Sequence, residues 1–305
     1  MKVIIWGYRS TNTYAYVHWG WYKAFKHLGH DVHWFDDNNL PPDDFDLKDA
    51  LFLTEGFADS KIPIRKDGIY VVHVCVNPAK YADCRRLIDL RYNEVLHKDQ
   101  VYDYTFDRDP SKKIGPCFYF EPSSGGIDRV YISWATDLLP EEINYQDRFH
   151  TRLRSIMFMG TLAFGQNQYD NGSNFQGFMK ACRENGIEWL HNCPWQNPLT
   201  CEQVKQNTML SYLAPDIRGP EHIKHGYVPC RIFKNISYGQ LGLTNSEHVY
   251  KELDGMPLYE PDTEKLFYLG RENMHDYDLI RNQMMYIKEN HTYINRVQDL
   301  MKVIS

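Results

Sequence analysis

Residues 1–37, MKVIIWGYRSTNTYAYVHWGWYKAFKHLGHDVHWFDD, carry the pattern on which the fold turns. The run KVIIWG is short, apolar and β-branched, and it ends in Gly7, as a buried parallel strand does. A polar and aromatic loop follows. The segment WYKAFKHLGHDV then reads as a helix closed by Gly29, and DVHWFDD as a second strand. Strand, loop, helix and strand in that order open a doubly wound fold. No G-x-G-x-x-G follows the first strand, which argues against a dinucleotide site there.

Outward from this opening, DALFLTEG and GIYVVHVCVN continue as strands. YADCRRLIDLRYNEVLH has a helical period, and VYDYTFD and RVYISWA read as further strands. A Pro-containing polar stretch then precedes a fresh start. SIMFMGTLAFGQ is strand and glycine turn, NFQGFMKACRENG a helix, IEWLHNC a strand and TCEQVKQN a helix. TMLSYLAPD reads as a strand, and MPLYEPD and two helices close the chain. A chain of 305 residues suits two domains better than one core. The expected fold class is α/β, two Rossmann-like doubly wound domains facing across a cleft. Residues 1–145 form the first, 146–285 the second, and a helix at 286–305 packs back across them. A ligand is expected at the carboxyl ends of the strands.

Composition narrows the function. Net charge is −6 without a Lys/Arg-dense block, which argues against nucleic acid as a partner. The seven cysteines are scattered with no C-x-x-C pair, so neither a disulfide framework nor a zinc knuckle is expected, and a reducing cytoplasm is. The first apolar run is four residues long, too short for a signal peptide, and nothing approaches the ~20 apolar residues of a membrane span. No G-x-S-x-G, H-E-x-x-H or Walker loop occurs. The 22 tyrosines suit sugar or nucleotide surfaces, and equally an ordinary core.

The chemistry concentrates in residues 226–246, GYVPCRIFKNISYGQLGLTNS. Arg231 and Lys234 lie one turn apart at the start of a short helix ended by Gly239. Pro229 holds Val228 extended and helps define that start. A helix N-terminus with an Arg fork makes a diphosphate site, and Arg218 in APDIRG adds a third cation; a solvated cationic face is the alternative. Gly160-Thr161 is the first strand-to-loop turn of the second domain, where a backbone approaches a phosphate or sugar closely. In the first domain Tyr8, Arg9, Ser10 and His18 are placed to line a cleft. Glu55 follows a strand directly and next to Gly56, where a carboxylate serves as a base, or is simply solvated. His73 reads as a core histidine, and Asp36 and Asp37 as a solvated turn.

The series Arg231-Ile232-Phe233-Lys234, Gly239, Leu243-Thr244 resembles the donor segment of GT-B glycosyltransferases, nearest the spore-maturation-protein-like branch. SWATDLLPEE, LTCEQVKQNTMLSYLAP and ENHTYINRVQDLM are similar to its linker, pre-donor and closing segments, in the same order. The resemblance implies metal-independent transfer of a sugar, without cofactor, from a UDP- or GDP-sugar to a glycan or other hydroxyl acceptor. It places the donor at Gly160, Thr161, Arg218, Tyr227, Val228, Arg231, Lys234 and Asn235, and the acceptor at Tyr8, Arg9 and Ser10. An inverting enzyme needs a base, first Glu55 and then His18. Lys234 departs from the pattern, since the family commonly has a Glu there for the donor ribose; Asn235 or a backbone group is the substitute. YVPCRIFKN is also partly similar to the fucosyltransferase donor segment, which keeps GDP-fucose as one donor. A nucleotide-sugar epimerase and a non-catalytic sugar- or nucleotide-binding module remain as alternatives.

Overall fold

The computed structural model describes residues 1–9, 14–91, 109–123, 126–145, 152–162, 172–194 and 196–305. The protein is α/β and divides into two compact units. The chain leaves the first after Ile132, forms the second from Ser133 to Thr292, and returns to the first at Tyr293.

The first unit is built on one sheet. Its strands are β1 (Lys2–Trp6), β2 (Asp31–Phe35), β3 (Leu51–Glu55), β4 (Ile69–His73), β5 (Arg86–Arg91), β6 (Lys113–Gly115), β7 (Phe118–Glu121) and β8 (Ile127–Ile132). They lie in the order β2-β1-β3-β4-β5-β8-β7-β6. All pairs from β2 to β8 are parallel, and β7 and β6 add an antiparallel edge. Because β1 lies between β2 and β3, chain direction across the sheet reverses there, and a crevice opens at the strand carboxyl ends. β3 and β4 are buried on both faces, which explains their unbroken apolar runs. On one face Ile4, Trp6, Phe52, Tyr70, Val72 and Leu87 share a core with Ile62, Cys75 and Tyr81 from the connecting loops. The helix α1 (Tyr14–His27) packs on β1 and β2 and is itself covered by the C-terminal helix. Gly29, at φ 79°, terminates the turn after α1 as read from sequence.

The expected helix at 81–97 is corrected: residues 86–91 are the strand β5, between β4 and β8. Leu87, Ile88 and Leu90 are buried, while Arg86 pairs with Asp128 and Arg91 with Asp89. Strand-end ion pairs gave the segment a charge spacing that imitates a helix face. The strand expected at 101–107 lies outside the described residues.

In the second unit β9 (Ser155–Met159) pairs in parallel with β10 (Glu188–Asn192), and β11 (Leu243–Thr244) with β12 (Leu258–Tyr259). The segment expected as a strand at 208–216 begins as helix, because α3 (Cys201–Leu210) continues through Leu210. Beyond it the chain is extended: Tyr212 N donates to Ser155 O and Asp216 N to Leu243 O, both at 2.8 Å. Around these strands lie α2 (Gly172–Glu184), α4 (Pro220–Lys224), α5 (Cys230–Ser237), α6 (Glu247–Glu252), α7 (Thr263–Asn273) and α8 (Tyr277–Asn290). The core includes Phe158, Phe175, Phe178 and Phe267, with Ile232, Phe233 and Ile236 of α5. Gln240, fully buried, donates to the carbonyls of Thr208 and Ser211 and so satisfies the end of α3. The last helix, α9 (Tyr293–Ile304), belongs to the first unit.

Candidate functional site

In the second unit the buried Asp216 and Arg218 and the half-buried Arg231 converge at the start of α5. Its apolar face fixes the helix in the core, and Pro229 stands at its N-cap without a side-chain cap, so the first-turn N–H groups point outward. Arg231 lies over the Phe158 ring at 4.4 Å and donates to Met159 O at 3.2 Å. Gly160 is required by that guanidinium: a Cβ there would lie 2.0 Å from Arg231 Nη2. Asp216 is wholly buried, with Arg218 Nη2 at 2.7 Å and Arg231 Nη1 at 3.9 Å. The Arg218 backbone is held at both ends by Asn245, which accepts from its N–H and donates to its carbonyl.

Two guanidiniums against one carboxylate leave the triad with one excess positive charge. Burial, and next the field of Arg218, lower the Arg231 pKa to about 10, so it stays charged at neutral pH. Arg218 Nε and Arg231 Nη1 are buried and find no hydrogen-bond acceptor among the described residues. An unsatisfied buried donor costs about 1–3 kcal/mol, more when charged, and an anion would relieve it. Beside them burial first, then Arg218 and Arg231, bring the His222 pKa down to about 3, so its imidazole is neutral. The His222 ring lies 5.1 Å from that of Tyr227, whose hydroxyl accepts from Trp134 Nε1 at 3.2 Å.

The structure thus brings Gly160, Arg218, Tyr227 and Arg231 together. Thr161 is exposed beside Gly160, and Val228 is buried in the core. Lys234 and Asn235 turn elsewhere. Lys234 Nζ lies 4.0 Å from Asp137, which also accepts from Tyr238 Oη at 2.5 Å. Asn235 Nδ2 donates to Ala214 O at 2.7 Å and clasps the extended segment to α5. Sequence reasoning missed Asp216, Phe158 and His222. The signal for Asp216 was its place two residues before Arg218, where strand alternation returns both side chains to one face.

In the first unit the two expected bases are one pair. His18 Nε2 lies 2.8 Å from Glu55 Oε1, and His18 Nδ1 lies 3.3 Å from Tyr8 O. A carbonyl only accepts, so in the contact with Tyr8 it is Nδ1 that donates. Both side chains are 5% exposed or less. Gly56 leaves no room for a ligand, since a Cβ there would lie 2.2 Å from Val74 O. Gly7 similarly makes way for the His18 ring, 2.2 Å from where its Cβ would be. His73 is buried, as expected of a core histidine, and burial, then His18, hold its pKa well below the usual range. Asp37 is no solvated turn: it accepts from Trp6 Nε1 at 2.9 Å and from the Lys61 amide. Tyr8 and Arg9 line a hollow described below, and Ser10 lies outside the described residues.

Among the described residues no group of three or more His, Cys, Asp or Glu is arranged to hold a metal, and no helix is long and apolar enough to cross a membrane. Comparison with protein-family models, curated proteins and solved structures returns no match.

Proposed function

We infer that this protein is a glycosyltransferase that moves a sugar from a nucleoside-diphosphate sugar to a hydroxyl acceptor. In this reading both units are Rossmann-like domains, the second holding the donor and the first the acceptor. The observation that carries it is the Arg218–Asp216–Arg231 triad, with its buried, unfilled donor atoms, at the start of α5. When a glycosidic bond to a diphosphate breaks, charge develops on phosphate oxygens. Fixed guanidiniums and helix N–H groups stabilise that charge without reorganising. Arg231 and Arg218 carry this role, and Lys234, offset by Asp137, adds little. His18 and Glu55 serve as one acid–base unit for the acceptor hydroxyl.

The test is calorimetry with pyrophosphate, UDP and GDP, followed by assay of nucleoside diphosphate release from UDP- and GDP-sugars with saccharide acceptors. Binding plus acceptor-dependent release is the expected outcome; absence of any diphosphate binding sinks the reading. The burial of His18 and Glu55 favours a second reading, a binding module without turnover. It predicts nucleoside diphosphate binding with no release under any acceptor.

A further inference from the structure

β2 is an edge strand, and Val32, His33, Trp34 and Phe35 are only half-buried, unlike the strands inside the sheet. Beside it three rings run in series. Trp19 and Tyr22, on successive turns of α1, stack at 5.7 Å and 12°, and Tyr22 meets Trp34 at 6.0 Å. Trp34 is held in place by its Nε1 hydrogen bond to Gly7 O at 2.9 Å. These rings wall a hollow of about 490 Å³. A second hollow of about 670 Å³ lies at the carboxyl ends of β1 and β2, and the two share Arg9 and Asn39. Arg9 stands 5.7 Å from the Trp34 ring centre, and Tyr8, Asn38 and Phe57 complete the second hollow.

The polar groups here differ in availability. Asp37 is engaged by Trp6, Ser60 and Lys61, and Asp36 Oδ1 accepts from the amides of Asn38 and Asn39. What remains directed at the two hollows is the Arg9 fork, the carboxamides of Asn38 and Asn39, and the Tyr8 phenol. Charges of both signs stand near them: Arg9, Lys23, Lys26 and Lys61, with Asp31, Asp36 and Asp37. This differs from the cationic triad at the start of α5. Rigid ring faces with adjacent planar polar groups, among charges of both signs, suit a ligand having an apolar face, an edge of hydroxyls and no charge of its own.

We propose that the paired hollows bind a neutral saccharide, one pyranose stacking on the Trp19–Tyr22–Trp34 wall and its hydroxyls meeting Arg9 and Asn39. The proposal rests on reading the first unit as the acceptor domain, and it names the acceptor's class. Its test uses the full chain with chitotriose, cellotriose, maltotriose and mannotriose, followed by tryptophan fluorescence and calorimetry. A trigalacturonate arm probes charge. At least one neutral trisaccharide binds and shifts the tryptophan emission. Trp19→Ala and the exposed-site variant Asn39→Ala each weaken it about fivefold or more. Pyrophosphate affinity, measured on the same samples, is unchanged and reports that the variants are folded. No neutral trisaccharide binding at about 10 mM, a level corresponding to roughly −3 kcal/mol, overturns the proposal, as does binding indifferent to both variants. Preference for trigalacturonate overturns the neutral class. Pyrophosphate binding lost only in Arg231→Ala tests the donor reading separately, so either can fail alone.

Discussion

At Arg231 several forces meet on one side chain. Burial disfavours its charge, Asp216 supports it, Phe158 gives it a face to lie on, and one N–H is left without an acceptor. Truncation should therefore act on anion binding more than on folding. Arg231→Ala is expected to weaken pyrophosphate binding roughly ten- to hundredfold, the equivalent of one charge-assisted contact, and to leave a nucleoside's affinity nearly unchanged. Titration calorimetry on both ligands decides it. Asp216 behaves in the opposite sense. Asp216→Asn leaves the buried Arg218 and the half-buried Arg231 without their shared counter-ion, at a cost of about 3–5 kcal/mol, seen as a lowered urea midpoint. Pyrophosphate at 100 times its dissociation constant should return about 2.7 kcal/mol. A midpoint unmoved by the substitution would show that the triad is not held as described. His222 adds a pH signature. Its folded pKa is depressed to about 3 from the ordinary 6.5, so the unfolded chain binds its proton first as the solution is acidified. The contribution to stability is whole above pH 6.5 and declines as pH falls toward 3, by at most about 1.4 kcal/mol per pH unit. Urea midpoints measured between pH 7 and 5 should fall less steeply in His222→Gln than in the parent, while His73, shifted in the same direction, supplies a remaining slope.

Among the elements, α1 and α9 show how a sequence pattern becomes a packed pair. Gly20 on α1 admits the Tyr293 ring of α9, since a Cβ at Gly20 would lie 2.2 Å from it, and Trp21 meets Tyr293 at 5.2 Å with the rings tilted by 53°. Arg86 at the start of β5 donates to Val303 O at 2.6 Å and caps the far end of α9, and Arg296 donates to Pro116 O. Gly20→Ala is expected to overpack this contact and cost about 1–3 kcal/mol. Gly29→Ala, where a Cβ meets nothing within 4 Å but φ is 79°, should cost about 1 kcal/mol, the left-handed penalty alone. Denaturation midpoints that rank the two in the reverse order would refute the account of α1–α9 packing. β5 carries the complementary lesson: its apolar residues are those of a central strand, yet its charged ends were read as a helix face. Only the neighbouring strands, with Asp128 of β8 as the partner of Arg86, reveal which period governs.

For the molecule as a whole, the proposed function calls on two sites of different character, a cationic one on the second unit and an aromatic one on the first. Glu55→Gln separates their roles: it should lower acceptor-dependent turnover by about 10²-fold or more, the lower limit for a general acid–base group, while pyrophosphate affinity is unaffected. Turnover within a few-fold of the parent would leave the His18–Glu55 pair as a strut between α1, β1 and β3. Much of this was legible in the sequence. The β–α–β opening, the glycine after α1, the strand ending in Glu55, and the helix from Cys230 closed before Gly239 are local patterns, written by apolar periodicity and by glycine's tolerance of positive φ. Arg218, Arg231 and Gly160 were also legible as candidates, because strand ends and helix starts are where ligands bind. Their partners were not. Asp216 between two arginines, Lys234 turned to Asp137, and His18 joined to Glu55 across 37 residues of chain are pairings between segments distant in sequence. Local propensity determines which element forms. Which side chains it turns toward one another is decided by the packing of elements, where a buried charge must find its counter-ion or leave a donor waiting for a ligand.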